Sequence, residues 1–580
     1  MQSKSTPPSA LESYVPILDW LPNYQKGWLR GDIIAAITVW ALVVPEAMAY
    51  AGIAGMPPET GLYAAPLALV AYAILGTSHH LSVGPSSTVA ALSFSVVAGM
   101  AMAGSDKFVF LTILLALVTG LLLIIFSFLR LGLLADFLSR PVLDGFVVGV
   151  ALSIAIGQVD KIFGFEPTPI LDFLPGLAVY LRQINLTHWP TFAVGVISLG
   201  LLFALHKYLP KIPGPLVVLF LSIAVSSLFN VEAHGIHIVG EIPASLPPFG
   251  LPEDLSLRQM INLIPGALGV ALVAFAESVA IARSLGNRFG YEVKADQELL
   301  AVGVANIGSG ISGGFTVDGS MSRTSAATEA GVNSQMASLI GSVAILITAV
   351  ALTPLFYNLP EATLGAIVIH AVWHNINPRK ITQYRPITRL DFYTAVVSCL
   401  GVLLLGMLAG LLLAALLGLV VLLFDTKQRT TAVLGRVPET TMYRNLDNFP
   451  EGQTYPGLLI LRFDGMLFFA NTPNFISAVR AAIQRADPPP RVILVDGESM
   501  NGIDATAIVT LKEFQRELTG TGRQIWLARM KTEVLQILER ADLTESIPKE
   551  HIFADVQDGV DAYLATFAEG IERKKLEQGD

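Results

Sequence analysis

The stretch Ser312-Gly-Gly-Phe-Thr-Val-Asp-Gly-Ser-Met-Ser-Arg-Thr-Ser325 interrupts an otherwise continuous succession of apolar segments. In lipid every backbone polar group needs an internal partner. Glycines, hydroxyls, Asp318 and Arg323 at that depth are therefore expensive unless they line a cavity. A short helix starting near Ser320 would direct free N–H groups, and the positive end of its dipole, at whatever stands before it. An anion suits that place. A second such place is Val83-Gly-Pro-Ser-Ser-Thr88, where Pro85 can open a helix and Ser86, Ser87 and Thr88 offer hydroxyls. Two interrupted segments in corresponding halves are the pattern expected of an inverted-repeat secondary transporter.

The composition agrees with burial in lipid. Of 580 residues 53% are hydrophobic and 14% charged, too apolar a balance for a soluble enzyme of this length. The net charge of -9 comes with no basic block suited to nucleic acid. The single cysteine, Cys399, excludes an intramolecular disulfide and suggests no metal cluster. Residues 1–30 read as a polar cytoplasmic segment without a cleavable leader, so the first apolar run is expected to be its own insertion signal.

A bilayer crossing needs about 20 helical residues. Candidate spans are 31–49, 62–75, 86–102, 108–128, 142–159, 189–205, 215–228, 264–282, 299–311, 320–330, 337–356, 362–373, 392–405 and 407–424. This predicts a polytopic α-helical membrane protein with fourteen spans arranged as seven plus seven over residues 31–424. With both termini cytoplasmic, only Lys107, Lys161, Arg182 and Arg258 among the span-flanking basic residues fall outside. Lys26, Arg30, Arg130, Arg140, Lys207, Lys211, Arg283, Arg288, Lys294, Arg379, Lys380, Arg385, Arg389, Lys427 and Arg429 fall inside. Gly31 to Ser86 and Pro265 to Ser320 share one spacing, which sets Glu46 and Glu277 at nearly equivalent places in the two halves.

Beyond a linker at 425–454, residues 455–570 read as a small α/β domain, followed by a polar tail at 571–580. Leu458–Phe463, Met466–Phe469, Arg491–Val495 and Gln524–Ala528 are strand-like, and helical patterns cover Phe475–Gln484, Ala505–Leu518 and Thr532–Arg540. Asn471-Thr-Pro is a helix start, and Asp504 is a cap for the helix that follows it. Alternating strands and helices argue for a largely parallel sheet.

Four motifs carry a resemblance. Pro45-Glu-Ala-Met-Ala-Tyr-Ala51, Pro57-Pro-Glu-Thr-Gly-Leu-Tyr63, Gly76-Thr-Ser-His-His-Leu-Ser-Val-Gly-Pro85 and Gly319-Ser-Met-Ser-Arg-Thr324 resemble the first, second, third and tenth spans of the SulP anion transporters, the sulfate-permease family. The tail resembles the cytoplasmic STAS domain of that family. The resemblance implies a fourteen-span inverted repeat divided into core and gate domains, and commonly a homodimer; the expected location is the plasma membrane. It also implies an anion site built from Glu46 and Tyr50, from Ser86 with Ser87, and from Ser320, Met321, Ser322 and Arg323. Two positions depart from the family pattern: glutamine usually stands where this chain has Glu46, and an aromatic residue where it has Thr60.

Glu277 lies in Val273-Ala-Phe-Ala-Glu-Ser-Val-Ala280, an apolar helix with no basic residue within a turn. A carboxylate there either takes up a proton or finds a cationic partner. Proton-symporting relatives carry glutamate here and a sodium-coupled bicarbonate branch aspartate, so the resemblance makes Glu277 the proton-coupling residue. Asp318 and Asp32 read as helix caps, and Arg323 as an attractor for the anion or a partner for Glu277 or Asp318. His79 and His80 lie in a turn where titration near neutral pH suits a sensor, although loop histidines are ordinarily only solvated.

The expectation is a secondary transporter of a small inorganic or organic oxyanion, with sulfate by proton symport first. Bicarbonate or dicarboxylate transport, or anion exchange, are the alternatives within the family. A membrane sensor signalling through the STAS domain is the alternative outside it. No Gly-x-x-x-x-Gly-Lys motif supports a nucleotide-driven pump, and no cofactor is implied.

Overall fold

The computed structural model describes residues 14–577 except 133–138, 167–172, 210–211, 251–255, 428–430 and 544–546, with side chains described outside 422–427 and 568–577. Lys211, Arg429, residues 1–13 and residues 578–580 lie outside the described residues. The chain divides into two compact units, residues 1–419 and 420–580.

In the first unit every expected span falls on a helix. These are α1 (Leu29–Ile53), α2 (Pro58–Leu75), α3 (Ser87–Ala98), α4 (Asp106–Phe128), α5 (Arg140–Ile156), α6 (Trp189–Tyr208) and α7 (Gly214–Phe229). Then follow α8 (Leu257–Phe289), α9 (Ala295–Ile311), α10 (Met321–Glu329), α11 (Met336–Ile347), α12 (Glu361–Trp373), α13 (Arg389–Leu405) and α14 (Met407–Lys427). Among the described residues, seven helical stretches are long and apolar enough to cross a bilayer, and four more are apolar but shorter. The expected span at 337–356 is only partly α-helical. It passes into a π-turn at Thr348–Leu352 and a 3-10 turn at Thr353–Phe356.

Lipid supplies no hydrophobic force between helices, so close packing at small residues must hold the bundle. Three crossings show it. A Cβ on Gly120 of α4 would stand 2.6 Å from the Gly303 carbonyl of α9, and one on Gly303 would stand 3.0 Å from the Gly120 carbonyl. Gly145 of α5 lies against Ala395 of α13, and Gly61 of α2 against Ala47 of α1, each with room for no Cβ.

The segment between α9 and α10 is extended and tied down strand by strand. Ser309 Oγ donates to the Phe315 carbonyl (2.5 Å), and Asn306 accepts from Val317 N (3.0 Å) while donating to its carbonyl (2.8 Å). This fixes β2 (Asp318–Gly319) antiparallel to β1 (Val83–Gly84), with Val83 opposite Gly319 and Gly84 opposite Asp318.

The second unit is a six-stranded sheet in the order β4-β3-β5-β6-β7-β8. Its strands are β3 (Thr431–Arg436), β4 (Tyr443–Asn445), β5 (Leu458–Phe463), β6 (Val492–Asp496), β7 (Gln524–Ala528) and β8 (Ile552–Phe553). The last four are parallel; β3 pairs antiparallel with β4 and β5. Helices α15 (Thr472–Arg485), α16 (Ala505–Gly520) and α17 (Thr532–Arg540) bury Phe475, Val479, Phe514, Leu518 and Leu538 on one face. On the other face α18 (Val556–Glu577) buries Val560 and Tyr563 with Trp526.

Three expectations for this unit change. Residues 431–445 are not linker but supply two sheet strands. Met466–Phe469 is reduced to a single parallel bridge, Leu467 to Ile503, and a turn begins at Phe469, where Asn471 folds its side chain back, accepting from Phe468 N (2.8 Å) and donating to the Met466 carbonyl (2.8 Å). The last helix runs through residue 570 to Glu577. Asp504 caps α16 as expected, accepting from Ala507 N at 2.7 Å.

Candidate anion site

The β1–β2 ladder sets the starts of α3 and α10 side by side. Ser86, in extended backbone (φ -137°, ψ 159°), is the residue before α3, and Ser320 holds the same place before α10. Ser320 N donates to the Ser82 carbonyl (3.0 Å) and Ser82 N to Thr324 Oγ1 (3.0 Å), locking the two starts together. The first-turn N–H groups of both helices have no intrahelical acceptor, and both dipoles present their positive ends at this place. Gly319 makes the approach of α8 possible. A Cβ there would stand 3.1 Å from Ser278 Cα, and its N–H donates to Ser278 Oγ at 2.8 Å. Glu277 is thereby brought beside Asp318, with Thr88 close by.

Arg323 fills the centre of the site and is 1% exposed. Its Nη1 donates to the Pro85 carbonyl at 2.5 Å and stands 3.6 Å from Glu46 Oε2. Its Nε and Nη2 have no hydrogen-bond partner among the described residues, nor do Ser86 Oγ, Glu46 Oε2 or either oxygen of Asp318. A buried donor without an acceptor costs about 1–3 kcal/mol, and more when charged. Unpaired guanidinium N–H groups beside two helix starts have the donor chemistry that oxyanion recognition uses.

The structure thus gathers Glu46, Tyr50, Ser86, Ser320, Arg323 and Glu277. Tyr50 follows Glu46 by one turn of α1, close to its carboxyl and buried. Ser320 and Ser322 place their hydroxyls 3.2 Å apart. Ser322 is exposed, Met321 is 51% exposed, and Ser87 is half-buried at the start of α3. The opening of the site therefore lies along the first turn of α10.

Several polar residues differ from their sequence reading. Pro85 precedes the cap of α3 rather than opening the helix, and its carbonyl holds Arg323. Asp318 does not cap α10. Ser320 does, accepting from Arg323 N at 3.5 Å, and Asp318 sits in the ladder at 0% exposure. Asp32 lies inside the first turn of α1 and caps a distant segment. It accepts from Asn333 N (2.7 Å), Ser334 N (3.2 Å) and Ser334 Oγ (2.8 Å) before α11. Glu298 carries no signal in the sequence. It is buried and accepts from Tyr72 Oη (2.7 Å), Thr77 N (2.8 Å) and Thr77 Oγ1 (2.6 Å).

His80 stacks on Phe289, with ring centroids 4.3 Å apart, and its Nδ1 lies 3.1 Å from Tyr291 Oη. Burial, and next the neighbouring His79, lower its pKa to about 4. It is neutral throughout the physiological range, which removes it as a sensor there.

Apolar helices around two helix starts that meet near a buried arginine make up the fold of a multi-pass anion transporter. The murine Solute Carrier 26 family member A9 anion transporter, solved in the inward-facing state, shares it with a TM-score of 0.89 and 23% identity, over 97% of this chain and 96% of that one. The transmembrane domain of the cyanobacterial bicarbonate transporter BicA aligns with a TM-score of 0.59 and 20% identity, over 67% of this chain and 98% of that domain. The chain belongs to the sulfate permease family, whose profile matches residues 29–398, and a STAS domain profile matches residues 449–559. A probable sulfate transporter of Mycobacterium tuberculosis is 34% identical over 94% of this chain and 98% of its own length. The chloroplastic sulfate transporter 4.1 of Arabidopsis thaliana is 30% identical over 96% and 83%.

Proposed function

We propose that this chain carries sulfate across the plasma membrane in symport with a proton. The anion binds before the first turns of α3 and α10, against Ser86, Ser87, Ser320, Met321, Ser322 and Arg323, with Glu46 and Tyr50 behind. One observation carries this reading: Arg323 is buried with two of its donor nitrogens unpaired, at the point where the β1–β2 ladder makes two helix starts converge. Relatives named as sulfate transporters support the choice of anion.

Glu277 is the proton-coupling residue. Protonated, it presents no charge against the incoming anion; ionised, it repels it. Fourteen spans as a seven-plus-seven inverted repeat, cytoplasmic termini and a homodimer complete the reading.

Purified protein in liposomes, given radiolabelled sulfate under an inward proton gradient, tests it. Accumulation above the external concentration, abolished by a proton ionophore and competed best by sulfate among a panel of oxyanions, is the expected result. Equilibration without accumulation would leave a passive exchanger, and the absence of any flux would make the chain a sensor.

A further inference from the structure

Asp318 has no place in the transport reading so far, and its surroundings are unusual. It is 0% exposed, and neither of its oxygens has a donor among the described residues. Two side chains stand within reach of it: the Ser86 hydroxyl and another carboxyl, that of Glu277. Two carboxylates present only acceptors, so as ions they meet without a bond and repel; one proton between them turns the contact into a hydrogen bond.

We propose that Glu277 and Asp318 form one proton-binding unit that holds a single exchangeable proton between them. The inference rests on the reading of Glu277 as the coupling residue and adds the second carboxylate to it. The proton arrives from bulk water and returns to it; no other bond forms or breaks.

The groups facing the pair are few. Arg323 of α10 faces Asp318, and so does Tyr50 of α1. Glu46 of α1 is linked to the pair through Arg323 and through Tyr50. Ser86 and Thr88, at the start of α3, contribute hydroxyls. Lys380, in the short helix Arg379–Thr382, faces Glu277, and α9 contributes Asn306 to the backbone of Val317. Arg323 links the pair to the anion site. A proton on the pair leaves the positive charge of Arg323 less compensated and more available to the anion.

The test is the pH dependence of sulfate binding to the purified full-length protein, unaltered and as Asp318→Asn, Asp318→Glu and Glu277→Gln. Without the second carboxylate Glu277 holds its proton less tightly. The midpoint in Asp318→Asn should fall by about one pH unit or more, roughly tenfold in proton affinity, while Asp318→Glu restores it. An Asp318→Asn midpoint equal to that of the unaltered protein overturns the shared proton. Sodium stimulation at fixed pH that Asp318→Asn abolishes also overturns it, by making the pair a cation site. Full pH dependence in Glu277→Gln contradicts the coupling reading itself, a different outcome. Should Asp318→Asn fail to fold, infrared difference spectra between acid and alkaline pH decide. The unaltered protein should show a protonated-carboxyl band that shifts in Asp318→Glu, and a band unmoved by that change overturns the pair.

Discussion

Arg323 Nη1 stands 3.6 Å from Glu46 Oε2, with the two side chains 1% and 6% exposed. Removing one partner of such a buried pair commonly costs about 3–5 kcal/mol, because the other charge is left uncompensated. Here an anion can compensate it. Glu46→Gln should lower the thermal midpoint without sulfate and bind sulfate about tenfold more tightly, since the guanidinium no longer has an internal competitor. Thermal unfolding in detergent across a sulfate titration checks both effects. Unchanged affinity would mean that Arg323 does not face the anion.

The hydroxyls of Ser320 and Ser322 flank the start of α10, and Ser325 lies a turn further on. Dipole and free N–H effects are confined to the first turn. Ser320→Leu and Ser322→Leu should each weaken sulfate binding by about tenfold or more, and Ser325→Leu by less than about twofold. Equilibrium binding of labelled sulfate measures the contrast, and equal losses at all three positions would place the site elsewhere.

Gly61 lets α2 close on α1 one residue from Glu46, where a Cβ would meet the Ala47 carbonyl oxygen at 2.0 Å. Gly61→Ala should destabilise the protein by about 1–3 kcal/mol through overpacking and weaken anion binding by displacing Glu46 and Tyr50. Gly200→Ala is the control. It lies in α6, nothing stands within 4 Å of its Cβ, and it should be neutral or stabilising by up to about 1 kcal/mol. Differential scanning fluorimetry separates the two.

His80 gives a pH dependence of opposite origin to the transport proton. Its folded pKa of about 4 lies below the ordinary 6.5, so the unfolded chain takes up this proton first. The stability it contributes is complete above about pH 6.5 and is lost as pH falls toward 4. His80→Gln should flatten the acid limb of thermal stability between those values and leave transport at pH 7 unchanged. An unaltered acid limb would show that the stacked ring is not the group responsible.

The sequence made the helices visible because lipid demands long apolar runs and polar interruptions stand out among them. Ser86 and Ser320 were legible as helix starts for that reason. The register of Gly84 opposite Asp318 was not, since it pairs residues far apart in the chain through a two-residue ladder with no periodicity to detect. Asp32 misled in the same way, as a local cap that instead bonds Asn333 and Ser334 three hundred residues on. In the second unit Thr431–Arg436 is a short strand whose alternating burial is visible only once β5 lies beside it. Met466–Phe469 has the composition of a strand but pairs only through Leu467 to Ile503 before the turn that Asn471 holds.

The most direct measurement is proton-driven sulfate accumulation by Glu277→Gln, set beside Glu46→Gln. The glutamine at 277 imitates the protonated state permanently, so anion binding should persist without pH dependence and exchange down a gradient should continue. Uphill accumulation should vanish. Glu46→Gln should keep accumulation, because Glu277 and its neighbour still carry the proton. Accumulation that survives in Glu277→Gln and disappears in Glu46→Gln would contradict the account and move the coupled proton to α1.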